Sequence, residues 1–201
     1  MMIRGDRGAE CRMNIRVATR EDAAAICRIY APYVQDTAVT FEYDVSKEEE
    51  MLRRIENTLN EYPYLVAEEN GVVVGYTYAG RFHGREAYKH CAEVSIYIDT
   101  NCRGIGIGSR LYRELERRLL KQNVFILYAC IAETERDEDE YLSDASIRFH
   151  EKAGYKIVGK HHLCGYKFGR WYSVVWMEKL IADRPKMPEP FVPFAGISKQ
   201  K

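Results

Sequence analysis

No stretch of the 201 residues approaches the ~20 apolar positions that a membrane-spanning helix requires. The segment Met1 to Arg12 lacks the apolar centre of an export signal. The cytoplasm is therefore the expected compartment, with no membrane partner. There is no excess of charge either: 30 Lys and Arg balance 30 Asp and Glu. A surface that follows phosphate backbones usually carries a basic excess, so nucleic acid is not an expected partner. No pair among the six cysteines (11, 27, 91, 102, 130 and 164) has CxxC spacing, and none forms a zinc pattern with the five histidines. The expectation is reduced thiols, mostly buried as small apolar groups, and no metal. Proline is scarce, and four of the six prolines fall in the last stretch (Pro185, Pro188, Pro190, Pro193). Residues 183–201 thus read as an extended tail, loose unless it docks on this chain or a partner.

Between a patternless extension at 1–12 and that tail lies one domain, 13–182, long enough to bury a core. Asn14 to Ala18 reads as a strand. Thr19 with Asp22 marks a helix start, followed by Ile26, Ile29, Tyr30 and Tyr33 on one face. Ser46 with Glu49 has the form of a capping box ahead of Met51, Leu52, Ile55 and Leu59. Two strands about Tyr64–Glu68 and Val72–Ala79 flank an Asn70-Gly71 turn. A strand at Ala92–Ile98 precedes a glycine-rich loop and a helix with Ile107, Leu111, Leu115 and Leu119 along one stripe. A buried strand at Val124–Ile131, a short helix at Asp144–Lys152 stopped by Gly154, and strands about Tyr155–Lys167 and Trp171–Leu180 complete the domain. The order β-α-α-β-β-β-α-β-α-β-β implies an α+β fold with a mixed sheet.

The loop reads Arg103-Gly104-Ile105-Gly106-Ile107-Gly108-Ser109. A strand running through glycines into a helix suits a phosphate: the backbone can approach closely, several N–H groups converge, and the helix dipole favours negative charge. The G-K-[ST] of a Walker A loop is missing. A dinucleotide G-x-G-x-x-G also fails, since its third glycine would fall on Ser109 or Leu111.

Arg103 to Gly108 resembles the [Q/R]-x-x-G-x-[G/A] signature of the GNAT acetyltransferases. Further segments are similar to the phosphinothricin acetyltransferase family within it. They are Ile29–Val34, Thr37–Glu42, Gly75–Ala79, Arg85–Tyr88, Glu93–Ile98, Ser146–Tyr155 and Gly165–Trp171, in the family's order and spanning roughly Asn14 to Lys179. The resemblance implies a twisted mixed sheet, helices on both faces, whose central strands splay to admit acetyl-CoA as cosubstrate. It implies that Arg103, Gly104, Ile105, Gly106, Ile107, Gly108 and Ser109 hold the pyrophosphate. Ile96, Tyr97 and Ile98 would run along the pantetheine arm, with Ser146 nearby. Glu93 would be the base that deprotonates the amine, directly or through water, with a backbone N–H near Ile96 holding the oxyanion. His150 would supply a proton to the departing thiolate or assist the base. Phe41, His83, Arg85, Tyr88 and Ser95 would line the acceptor pocket, with Arg85 gripping a carboxylate or phosphinate. A homodimer is the family expectation.

Two positions depart from the family pattern: Ser143 where asparagine often stands, and Ser173 where aspartate is common. Residues 133–144 are also unusually acidic, seven of twelve, and read as a solvated loop. The implied reaction is acetyl transfer to the amine of a small amino-acid-like acceptor of the phosphinothricin or methionine sulfoximine type. The alternatives are a polyamine, an aminoglycoside, a protein N-terminus, or a non-catalytic acyl-CoA-binding module on the same fold.

Overall fold

The computed structural model describes residues 13–197. The extension at 1–12 lies outside the described residues. The strands are β1 (Met13–Val17), β2 (Tyr64–Glu69), β3 (Val72–Arg81), β4 (Cys91–Ile98), β5 (Ile126–Glu133), β6 (Lys156–Lys167) and β7 (Arg170–Leu180). The helices are α1 (Ala23–Asp36), α2 (Glu48–Glu61), α3 (Ile107–Leu120), α4 (Ala145–Lys152) and a short α5 (Phe194–Ile197). Apart from α5, the element order is the one read from the sequence.

The seven strands form one sheet in the order β1-β2-β3-β4-β5-β7-β6. All neighbours are antiparallel except β4 and β5, which run parallel. One face packs against α3, through Val94, Leu111, Leu115, Leu119, Leu127 and Met177. The other packs against α1 and α2, through Ile26, Ile29, Tyr30, Ile55, Tyr64 and Tyr76. Strand alternation explains the division: neighbouring side chains on β4 point to opposite faces.

Local chemistry explains the connections. Asn70 and Gly71 (φ 50° and 82°) make the β2–β3 turn, and Phe168 and Gly169 (φ 51° and 71°) the β6–β7 turn. Two successive left-handed residues match the twist of a tight hairpin. Thr19 donates its N–H to Asp22 Oδ2 at 2.8 Å, starting a single 3-10 turn that leads into α1. The expected Ser46 capping box does not form. Lys47 occupies the N-cap of α2, and the Ser46 hydroxyl donates instead to the Glu42 carboxylate.

Two further expectations are corrected. None of the five described cysteines is buried: Cys27, Cys91 and Cys102 are half-buried, and Cys130 and Cys164 are exposed. The acidic stretch is not merely solvated. Glu135 accepts from His162, Ser173 and Lys160, which together hold its carboxyl down at about 2. Asp139, its side chain fully covered, accepts from the Tyr141 N–H and the Tyr172 hydroxyl and pairs with Arg170. Cations of the β6–β7 hairpin thus fold the acidic loop back onto the domain.

The proline-rich segment docks on its own chain. Gln122, fully buried, donates to the Glu61 and Val192 carbonyls, and Phe191 packs on Tyr62. Phe194 is buried against α2 and α3. Phe194→Ala should cost about 3 kcal/mol, as expected for removing a buried aromatic ring. Urea unfolding followed by circular dichroism would measure it.

Candidate active site

β4 and β5 share three register pairs, Cys91–Ile126, Ala92–Leu127 and Glu93–Tyr128, and then diverge. A cleft of about 440 Å³, open to solvent, fills the gap. Its walls include Val94, Ser95, Ile96 and Tyr97 from β4, and Ala129, Cys130 and Ile131 from β5. Tyr112, Ser146 and His150 close the α3 and α4 side, and Val39 and Leu142 the other.

The direction of the β4 backbone follows from one bond. The Asp99 N–H donates to the Val74 carbonyl on β3. By the alternation of an antiparallel ladder, Tyr97 and Ser95 also turn their peptide groups to β3, and Ile96 and Ile98 turn theirs to the opening. Ile98 is already engaged: the Tyr33 hydroxyl donates to its carbonyl at 2.6 Å and accepts from its N–H at 3.3 Å. That leaves the Ile96 peptide group beside the cleft.

The glycine loop follows β4 directly. Gly104 and Gly106 take left-handed φ of 82° and 86°, and Gly106 is the N-cap of α3. Glycine adopts this backbone without strain. A Cβ on Gly108 would meet the Phe149 ring at 2.9 Å, so this glycine lets α3 approach α4 closely. The first-turn N–H groups of Ile107, Gly108 and Ser109 precede the first intrahelical donor, Arg110, and with the helix dipole make an anion site. The Ile107 side chain lies in the core, so this residue can serve only through its backbone. Arg103 is exposed, its guanidinium 5.2 Å from the Tyr33 ring centre. A cleft beside a free strand edge, opening onto a cationic helix N-terminus, fits a pantetheine thioester ending in phosphates.

His150 is buried, with both ring nitrogens engaged. Nδ1 lies 2.8 Å from the Ser146 carbonyl, and Nε2 lies 2.8 Å from the Tyr112 hydroxyl. A carbonyl can only accept, so Nδ1 carries the proton and Nε2 accepts from Tyr112. Burial lowers the pKa of the ring below the usual imidazole value, which keeps it neutral. The shared proton between Tyr112 and His150 therefore borders the cleft. Tyr112 was not singled out in the sequence, although its spacing to Gly108, Leu115 and Leu119 places it on the inward face of α3.

Glu93 stands where the strands part, beside Tyr128 and opposite Gly80 of β3. It does not line the cleft itself. Burial raises the pKa of its carboxyl, partly opposed by His83. His83, Arg85 and Tyr88 lie on the exposed connection from β3 to β4. His83 packs on Phe82 and Tyr88, and Phe82 stacks on Tyr128 at 3.9 Å. Arg85 pairs with no carboxylate among the described residues. Ser95 does line the cleft.

Phe41 belongs to the α1–α2 loop, which is clamped to the β6–β7 hairpin. Its ring fills the place a Cβ on Gly165 would need, 2.1 Å away. Lys167, 2% exposed, donates to the Thr37 and Thr40 carbonyls at 2.9 and 2.8 Å, and the Tyr43 hydroxyl donates to the Tyr166 carbonyl. A motif search does not find Lys167, because its partners are backbone atoms 127 and 130 positions away. Among the described residues, no cluster of three or more His, Cys, Asp or Glu side chains could hold a metal.

Residues 15–176 match the family model described as an acetyltransferase (GNAT) domain. The chain belongs to the GNAT acetyltransferase family and is an acyltransferase that uses acetyl-CoA. Among its relatives is a phosphinothricin N-acetyltransferase of Streptomyces viridochromogenes, 32% identical over 185 residues that span 92% of this chain and 96% of the relative. An L-methionine sulfoximine/L-methionine sulfone acetyltransferase of Salmonella typhimurium is 32% identical, over 83% of this chain and 93% of its own. A solved phosphinothricin acetyltransferase from Sinorhizobium meliloti in complex with acetyl-CoA superposes with a TM-score of 0.77 at 30% identity, covering 90% of this chain and 98% of that one.

A glutamate whose pKa is raised by the fold favours its protonated form in the native state. It contributes stability at low pH that is lost as the pH rises through the folded pKa. Glu93→Gln should therefore raise the Tm at pH 7 and leave it little changed at pH 4, as differential scanning fluorimetry across pH would show.

Proposed function

We propose that this protein transfers the acetyl group of acetyl-CoA to the α-amine of a small amino-acid-like acceptor. The observation that carries the reading is the partly desolvated Glu93 carboxylate at the point where β4 and β5 part. Its raised pKa suits a base that takes a proton from an ammonium. The peptide N–H of Ile96 faces the cleft and holds the oxyanion, a fixed dipole that needs no reorganisation as the charge develops. The proton shared by Tyr112 and His150 passes to the departing thiolate, and the pair is re-protonated from solvent. Arg103 and the N–H groups of the α3 turn grip the pyrophosphate, with Ser146 beside the arm. Arg85 holds the acceptor's carboxylate, with His83, Tyr88, Phe41 and Ser95 around it. The names of the relatives, phosphinothricin and methionine sulfoximine acetyltransferases, support an amino-acid-like acceptor.

A cationic acceptor finds less support. Glu135 and Asp139 of the acidic stretch are spent on the hairpin's own Lys160, His162 and Arg170. We place the reaction in the cytoplasm, without nucleic acid or membrane as partner, and in a homodimer. The described chain has no helix long and apolar enough to cross a membrane. Edge strand β6 leaves Ile157, Val158, Leu163 and Tyr166 about half exposed, beside Trp171 and Leu180 of β7. An unpaired apolar edge of that kind suits a second copy.

Glu93→Gln should lower kcat/KM for amino-acid acceptors at least ~100-fold, the usual order for a general base, while leaving acetyl-CoA binding intact. The acidic limb of the wild-type pH–rate profile should lie above the ordinary glutamate range. Acetyl-CoA binding by the wild type without thiol release from any amine would point instead to a binding module. Val158→Lys should shift the protein to monomer by light scattering. An unchanged mass would remove β6 from the interface.

A further inference from the structure

A second cavity, about 780 Å³ including its open mouth, lies on the α1–α2 face of the sheet. It shares no lining residue with the cleft between β4 and β5. Its walls are Tyr30, Tyr64, Tyr76 and Tyr78 with Met51, and α2 supplies Arg54, Asn57 and Thr58. The space a ligand could occupy in it, about 380 Å³, lies at the low end of the range of small-ligand sites.

Register connects this cavity to the base. On β3, Tyr78 stands opposite Ser95 and Gly80 opposite Glu93. Tyr78 is therefore the diagonal neighbour of Glu93 on the same face. Its pKa is raised, by burial first, while a hydrogen bond to Ser95 opposes the shift and the Glu93 charge adds to it. Tyr78 thus borders both the Glu93 carboxyl and the cavity.

The walls define what fits. Tyr64, Tyr76 and Tyr78 lie within 11° to 17° of parallel, their centres 5.0 to 6.5 Å apart. Such a row offers flat apolar surface with specific ring-packing geometry. The cavity has no cation to spare: Arg54 is held by Glu42 at 2.8 Å and Glu50 at 3.1 Å. It does have an uncommitted hydrogen-bonding group in its wall, one that keeps contact with solvent. Tyr76 is 2% exposed, and its hydroxyl has no partner among the described residues. The side chains of Asn57 and Thr58 at the α2 rim are likewise unpartnered there.

We propose that this cavity is the specificity pocket for the acceptor's side chain, and that the side chain it takes is neutral and aromatic, with a hydrogen-bonding edge met by Tyr76. The proposal rests on the reading that an α-amine reacts beside Glu93. An anionic side chain would find both Glu42 and Glu50 near and no free cation. A short aliphatic one would leave most of the volume unfilled.

The test compares kcat/KM, by thiol release from acetyl-CoA, for L-phenylalanine, L-tyrosine, L-alanine and phosphinothricin. The aromatic acceptors should exceed L-alanine and phosphinothricin at least 10-fold. Thr58→Phe, which fills the cavity from α2, should reduce the ratio of phenylalanine to alanine at least 10-fold. Tyr76→Phe removes one oxygen and keeps the packing. It should lower the ratio of tyrosine to phenylalanine several-fold, which guards against misfolding of the larger substitution. Turnover of amino acids with no aromatic preference, or ratios unmoved in both variants, would overturn the pocket alone. No turnover with any amino acid would overturn the underlying reading, and the pocket with it.

Discussion

The incomplete pairing of two parallel strands is the constraint on which the rest of this structure depends. Three residues into their contact, β4 and β5 separate. Peptide groups left unpaired at such a divergence need partners, or their burial is costly. Tyr33 satisfies Ile98 from α1, while the Ile96 peptide group is left facing the cleft. Tyr112, His150 and Ser146 line the gap from α3 and α4, linked by two 2.8 Å hydrogen bonds. The close approach of α3 to α4 at Gly108 and Phe149 holds these groups at the mouth of the opening. The same divergence sets Glu93 at its vertex, buried enough to raise its pKa.

Two segments distant in the chain are clamped together beside the sheet. The α1–α2 loop carries Phe41, and the β6–β7 hairpin carries Gly165 and Lys167. Their union rests on a buried ammonium bonded to two carbonyls and on a ring occupying the space of an absent side chain. Burial lowers the pKa of Lys167, with the charge of Glu42 opposing that shift. The acidic loop adds a third layer, because the hairpin's cations draw Glu135 and Asp139 inward. Charge that reads as solvated in one dimension is a structural clasp in three.

Much of this protein was legible in the sequence because its signals are local. Strand alternation, the Asn70-Gly71 turn, the stop at Gly154 and the glycines before α3 each depend on a few neighbouring residues, and all appear as expected. Glu93 and His150 were singled out by their place in segments that resemble the family, and the structure sets Glu93 where β4 and β5 part and His150 in the wall of the cleft. The errors also have local causes. Ser46 resembled a cap, but its hydroxyl found Glu42. The cysteines were expected to be buried by their usual preference, but the five described ones point to partly open sides of their elements, Cys130 to the cleft itself.

The sequence by itself determined the order of elements and the glycine turn ahead of α3, since period and turn propensity act over short separations, and its resemblance to the family supplied the class of chemistry. Tertiary structure alone decided the rest: the burial of His150 against the Tyr112 hydroxyl, the clamp made by Lys167, the docking of the tail on Gln122, and the row of tyrosines that reaches Glu93 through Tyr78. Each of these depends on groups that lie far apart along the chain and meet only across packed faces. Burial, which changes the cost of charge and the value of a hydrogen bond, does not exist until those faces have closed.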